Sequence, residues 1–98
     1  MLIHVEILPW LSNSMRPNQL GSIKFEHESS GTSFRDLLEE LSKADPAFAN
    51  LIYDSEAGEM RYPAQALVNG QFLHFLGGLD AKISDGDIVT FIATYTGG

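Results

Sequence analysis

A single change of period constrains this chain more than anything else in it. Phe34, Leu37, Leu38 and Leu41 fall at i, i+3, i+4 and i+7, the stripe of a helix with one apolar face. Elsewhere the apolar residues recur at every second position, the mark of half-buried strands. Ile3, Val5 and Ile7 alternate with His4 and Glu6 in the opening segment. Ile23 and Phe25 alternate in the next one, which reads as a strand pairing back on the first. A one-faced helix between an early hairpin and later strands calls for an α+β layer, the helix lying on one face of a sheet. Ser33 is placed to cap that helix, and Asp36 to return a bond to the cap. Pro46 pushes Asp45 out of helical geometry, so the helix should end near Lys43 or Ala44.

Turn residues divide the rest. Asn69-Gly70 is the dipeptide that a type I′ hairpin wants, because both central residues need positive φ. The flanking "AQALV" and "QFLHFL" therefore read as two strands. "IVTFIATY" is β-branched and aromatic, a final strand. "PWLSNSMRPN" reads as a loop, since Pro9, Pro17 and several turn formers break the alternation. "GGLDAKISDGD" reads as another, turning at Asp85-Gly86. "AFANLIYD" fits either a short helical turn or a strand; "SEAG" is a turn, and "EMRYP" can pair back before Pro63. No repeat or linker interrupts the 98 residues, so residues 1–98 are expected to form one domain.

Composition removes several functions. With no cysteine there is no disulfide, thiolate metal site or Cys nucleophile. Thirteen acids against six bases leave a net charge of −7. That disfavours nucleic acid and anionic membranes, whose binding runs on phosphate neutralisation, and favours a protein partner with a basic surface. No apolar run approaches the roughly 20 residues that span a bilayer. "MLIHVEIL" lacks the basic start of a signal peptide and carries Glu6, so the expected location is cytoplasmic.

The candidates for chemistry are weak. His4, His27 and His74 sit singly, without an i, i+4 partner, and read as solvent-facing strand residues rather than metal ligands. Asp80, Asp85 and Asp87 miss the rhythm of a calcium loop and read as turn residues. "LGGLD" has no Lys-Ser/Thr to follow it, so its glycines read as shaping a turn. Glu39 and Glu40 fall on the polar face of the helix and read as solvated surface. No catalytic residue, metal site or bound cofactor is expected, and the chain does not read as an enzyme.

The last third is more specific. "LVNGQFLHFLGGLDAKISDGDIVTFIATYTGG" combines a V-N-G hairpin, a GLD turn, a "DGD" lead into the final strand and a Gly-Gly end. In this it resembles the β-grasp, ubiquitin-like sulfur carriers: the small subunit of molybdopterin synthase (MoaD), the thiamine sulfur carrier (ThiS) and their relatives. It is also similar to the ubiquitin-related modifier, whose ending resembles "FIATYTGG". The opening strand and the capped helix "SFRDLLEEL" extend weaker likenesses over the whole chain. "ATYT" before Gly-Gly departs from the proline-alanine-valine-alanine run of many sulfur carriers.

The resemblance implies a mixed sheet of about four to five strands with one main helix across one face. It implies that a ubiquitin-activating-type enzyme, using ATP, adenylates the Gly98 carboxylate, which a sulfur donor then converts to a thiocarboxylate. Thr96, Gly97 and Gly98 would thread into that enzyme, glycine being suited to a narrow channel because it lacks a Cβ. An acceptor synthase would then take the sulfur for a cofactor such as molybdopterin or for another metabolite. Joined to lysines of a target protein instead, the same tail would make the chain a ubiquitin-like modifier; a non-reactive binding module is a third reading. Alternation together with the resemblance places Val89, Phe91, Ala66, Val68, Leu73 and Phe75 in the core. It leaves Leu67, Phe72 and Ile92 outside, as a docking patch for the adenylating enzyme.

Overall fold

The computed structural model describes residues 1–18 and 20–94. In chain order its elements are β1 (Leu2–Ile7), α1 (Pro9–Met15), β2 (Ile23–Glu28), α2 (Phe34–Ala44) and α3 (Pro46–Leu51). A small ribbon of β3 (Tyr53–Asp54) and β4 (Glu59–Met60) follows, then β5 (Ala64–Val68), β6 (Gln71–Phe72), two 3-10 turns and β7 (Ile88–Ala93). Five strands form one mixed sheet in the order β2-β1-β7-β5-β6. β1 and β7 are parallel neighbours at its centre; the other pairs are antiparallel. This is the β-grasp architecture, with α2 across one face.

The period change in the sequence is what builds the core. Ile3, Val5 and Ile7 point from β1 to the helical side, where the Phe34, Leu37, Leu38 and Leu41 stripe closes over them. Phe91 on β7 lies at the centre, its ring 5.2 Å from Phe48 edge-on and 6.1 Å from Phe34. The helix starts as its sequence requires: the Ser33 side chain accepts from the Asp36 N–H, and the Asp36 carboxylate accepts from the N–H groups of Thr32 and Ser33. Those bonds hold the Asp36 carboxyl below the usual carboxylate range. Asp45 ends α2, and its carboxylate accepts from the Ala47 N–H to start α3. "AFANLIYD" thus realises both of its readings in succession, helix and then strand.

Two segments differ from the sequence reading. "PWLSNSM" is helix α1 rather than loop. Pro9 occupies the first helical turn, where its missing N–H costs nothing, so the residue that read as a breaker starts the helix. Leu11 and Met15, at i and i+4, then reach the core, while the buried Ser12 hydroxyl donates to Gly21 O at 2.7 Å. The second correction concerns "QFLHFL", where β6 stops at Phe72 and Leu73–Leu76 form a 3-10 turn. With three residues per turn, positions two apart no longer share a face. Leu73 is buried as expected, but Phe75 is 75% exposed instead of core.

Candidate functional site

The elements around β7 fix how the last described strand is held. β7 lies between β1 and β5, so it is bonded along both edges. The hold continues to the last described residue: the Thr94 N–H donates to Pro63 O at 2.9 Å, and the Leu8 N–H to Phe91 O at 3.0 Å. Thr96, Gly97 and Gly98, the tail residues singled out in the sequence, lie outside the described residues.

The start of β7 is clamped by the hairpin. Asn69 adopts φ 52° and Gly70 φ 85°, as the tight turn demands. The Asn69 side chain then crosses to β7: its Oδ1 accepts from the Ile88 N–H at 2.9 Å, and its Nδ2 donates to Asp87 Oδ1 at 3.0 Å. Sequence reasoning valued Asn69 for its backbone alone and missed this clamp. The acidic turn before the strand is used in the same way. Asp85 accepts from the Leu2 N–H, and Asp87 from the Ser84 N–H at 2.7 Å.

Strand register places Leu67, Phe72 and Ile92 together on the face away from the helices. Leu67 stands opposite Phe72 on one side and Thr90 on the other, and Ile92 is the diagonal neighbour two residues along β7. All three are half-buried. The 3-10 turn adds to this region: the His74 ring lies 6.1 Å from Phe72 and 4.1 Å from Phe75. These residues give the outer side of the doubly bonded strand and its hairpin an apolar face.

Several polar groups that read as solvated surface are internal ties instead. Glu39 accepts from the Tyr53 hydroxyl at 2.9 Å; burial and that carboxylate push the Tyr53 phenol up. Glu40 is 2.7 Å from His27 Nε2 and also accepts from the Ser30 and Gly31 N–H groups. Burial alone would raise the Glu40 carboxyl, but the bonds from His27, Ser29 and Ser30 outweigh it and hold it below the usual range. His27 is thus not solvent-facing, whereas His4 and His74 are more open, His74 on a 3-10 turn rather than a strand. The arginines are also committed: Arg16 to Asp45, Arg35 to Gly58 O and Asp80, Arg61 to Ala49 O and Asp54. Among the described residues no helix is long and apolar enough to cross a membrane.

The model of the ThiS family matches residues 18–98, which include the hairpin, the acidic turn, β7 and the terminal glycines. The chain belongs to the ThiS family. Solved structures share the fold of this ThiS-family chain over nearly its whole length. Urm1 from Trypanosoma brucei superposes with a TM-score of 0.70 at 25% identity, covering 99% of this chain and 95% of that one. The small archaeal modifier protein 1 of Methanosarcina acetivorans gives 0.69 at 18% identity, covering 99% and 96%. A chain of the Amycolatopsis orientalis BexX/CysO complex gives 0.62 at 21% identity, covering 96% and 99%. No curated protein sequence matches.

Proposed function

We propose that this ThiS-family chain is a sulfur carrier, a protein co-substrate rather than an enzyme, that works through the carboxylate of Gly98. The observation that carries this reading is the family match running to Gly98, joined to the position of β7 as a doubly bonded strand leading to that tail. A carboxylate is a poor electrophile because its leaving group is poor. Its oxygen attacks the α-phosphorus of ATP in the activating enzyme and pyrophosphate leaves, giving an acyl-adenylate. Hydrosulfide-level sulfur from the donor then attacks the acyl carbon, AMP leaves, and a thiocarboxylate remains. Thr96, Gly97 and Gly98 enter the enzyme, and Leu67, Phe72 and Ile92 meet its surface. An acceptor synthase afterwards takes the sulfur.

A second reading has its own support, since the Methanosarcina neighbour is named a modifier and "ATYT" departs from many sulfur carriers. There a lysine amine of a target attacks the acyl-adenylate and an isopeptide bond forms. One experiment tests both. Incubation with a cognate activating enzyme, ATP and hydrosulfide should replace one Gly98 oxygen with sulfur, read by intact mass. Deleting Gly98 should abolish the product without unfolding the domain, and Phe72→Asp should weaken docking with the melting temperature nearly unchanged. Activation of the deletion variant as well as the parent would refute both readings. Isopeptide conjugates in cells, without thiocarboxylate, would establish the second.

A further inference from the structure

β2 is one edge of the sheet, and ladder geometry fixes what it offers. The Ser29 N–H donates to Met1 O at 2.7 Å, and the Met1 amino group to Ser29 O at 2.9 Å, so these two residues are a bonded pair. Bonded and non-bonded pairs alternate along an antiparallel ladder. Ile23, Phe25 and His27 therefore turn their N–H and C=O groups toward β1, whereas Lys24, Glu26 and Glu28 turn theirs outward. His4 has the same phase: it stands opposite Glu26, yet its N–H goes to Asp87 O at 2.9 Å on the β7 side.

Beside this edge is a groove of about 320 Å³ between the inner side of β2 and the ends of the helices. Met15, Ile23, Phe25, Leu41, Ala44 and Phe48 make it apolar. Phe25 is 37% exposed even though it stands opposite the buried Val5. The charged groups on the rim are already paired, Arg16 with Asp45 and His27 with Glu40.

We propose that this edge and groove receive an extended segment of a partner protein, added beside β2 as a further strand, with apolar residues alternating with basic ones. Strand addition satisfies the outward backbone groups of Lys24, Glu26 and Glu28, and every second side chain of the segment enters the groove. The side chains between them lie on the opposite face, where Glu6, Glu26 and Glu28 outnumber Lys24 and the Met1 amino group. Lys24 pairs with Glu6, Glu28 with the Met1 amino group, and Glu26 stands beside His4. Charge separates this occupant from a second copy of the chain. A copy brings another −7 and its own Glu26 and Glu28, whereas a basic segment meets opposite charge. The site is at the far edge of the sheet from β5 and β6, so it is distinct from the Leu67 face and does not depend on the carrier chemistry.

The test is a titration of the ¹⁵N-labelled full chain with a capped heptapeptide, Lys-Val-Lys-Val-Lys-Val-Lys. Amide shifts should map to Ile23–Glu28 and residues 41–48. Hydrogen exchange should slow at Lys24, Glu26 and Glu28 but not at Phe25, whose N–H is already bonded. The counterpart with Glu in place of each Lys should bind about tenfold more weakly or worse. Glu26→Pro removes one outward N–H while sparing the β1 ladder, and Ala44→Lys puts a like charge in the groove at an exposed position. Each should weaken binding about tenfold or more. No shifts at millimolar peptide, shifts confined to another surface, or equal binding of the Glu peptide would overturn the proposal. So would concentration-dependent shifts of β2 in the free chain, which would mark self-pairing.

Discussion

Leu73 and Phe75 are two residues apart, and strict alternation would bury both. The 3-10 turn separates them: Leu73 is 6% exposed and Phe75 is 75% exposed. Leu73→Ala removes a buried side chain, at a cost of about 2–5 kcal/mol. Leu73 lies at the margin of the core, so about 2–3 kcal/mol is expected; at roughly 4–8 °C per kcal/mol, the melting temperature falls by about 10–20 °C. Phe75→Ala exposes little that is not already in water and should change stability by no more than about 0.5 kcal/mol. Its ring stands 4.1 Å from His74, a contact open to solvent and worth only a fraction of that. Urea unfolding followed by far-UV circular dichroism and by Trp10 fluorescence measures both variants. The two probes should give coincident midpoints, and the slope against urea should match the parent. A loss above about 2 kcal/mol for Phe75→Ala, with Leu73→Ala near neutral, would mean that the second arm of the hairpin is a strand and the 3-10 assignment is wrong.

Two further outcomes follow from the start of α2 and its acidic face. A Cβ added at Gly31 would lie 2.2 Å from Asp36 Cβ, so Gly31→Ala must displace the cap and should cost about 1–3 kcal/mol in denaturant unfolding. Equal stability of that variant would show that the loop yields freely. Glu40 is held below the usual carboxylate range, so its contribution is present above the unfolded-state pKa and is lost as pH falls through the lower folded value. Stability measured from pH 7 downward should therefore drop on the acid side, and Glu40→Gln should flatten that drop. An unchanged acid limb would refute the assignment.

What the sequence made legible was what depends on period and turn chemistry. The helix stripe, its Ser33 cap, its end at Ala44 and the Asn69-Gly70 turn are each set by a few adjacent residues, and each appears in the structure. The inward faces of β1, β5 and β7 follow from alternation once the sheet is assumed. What was illegible depended on residues far apart in sequence. Leu11 and Met15 make a helix of "PWLSNSM" only because the core has room for them, which no local pattern records. Glu39 and Glu40 lie on the polar side of α2, but Tyr53 and the Ser29–Gly31 loop fold against them and turn surface carboxylates into acceptors. Asn69 reaches Ile88 across 19 positions. The resemblance of the last third could be read because its motif residues are close together in sequence; the outward placement of Leu67, Phe72 and Ile92 could be read only as far as the register could be guessed.

β7 links the candidate docking face to the core. Its alternation sends Val89 and Phe91 into the core and leaves Thr90 and Ile92 on the outer face, so one strand carries both stability and the candidate docking surface. A slip of one residue would exchange those faces and would also move the tail by a strand residue, about 3.3 Å. The register is pinned from both sides, by β1 and β5, and at its start by Asn69 and Asp87. On the proposed reading, a partner grips Leu67, Phe72 and Ile92 while the residues beyond Thr94 reach a reaction centre. If that proposal holds, the Asn69 clamp on Ile88, which fixes where β7 begins, also bears on how far Gly98 reaches.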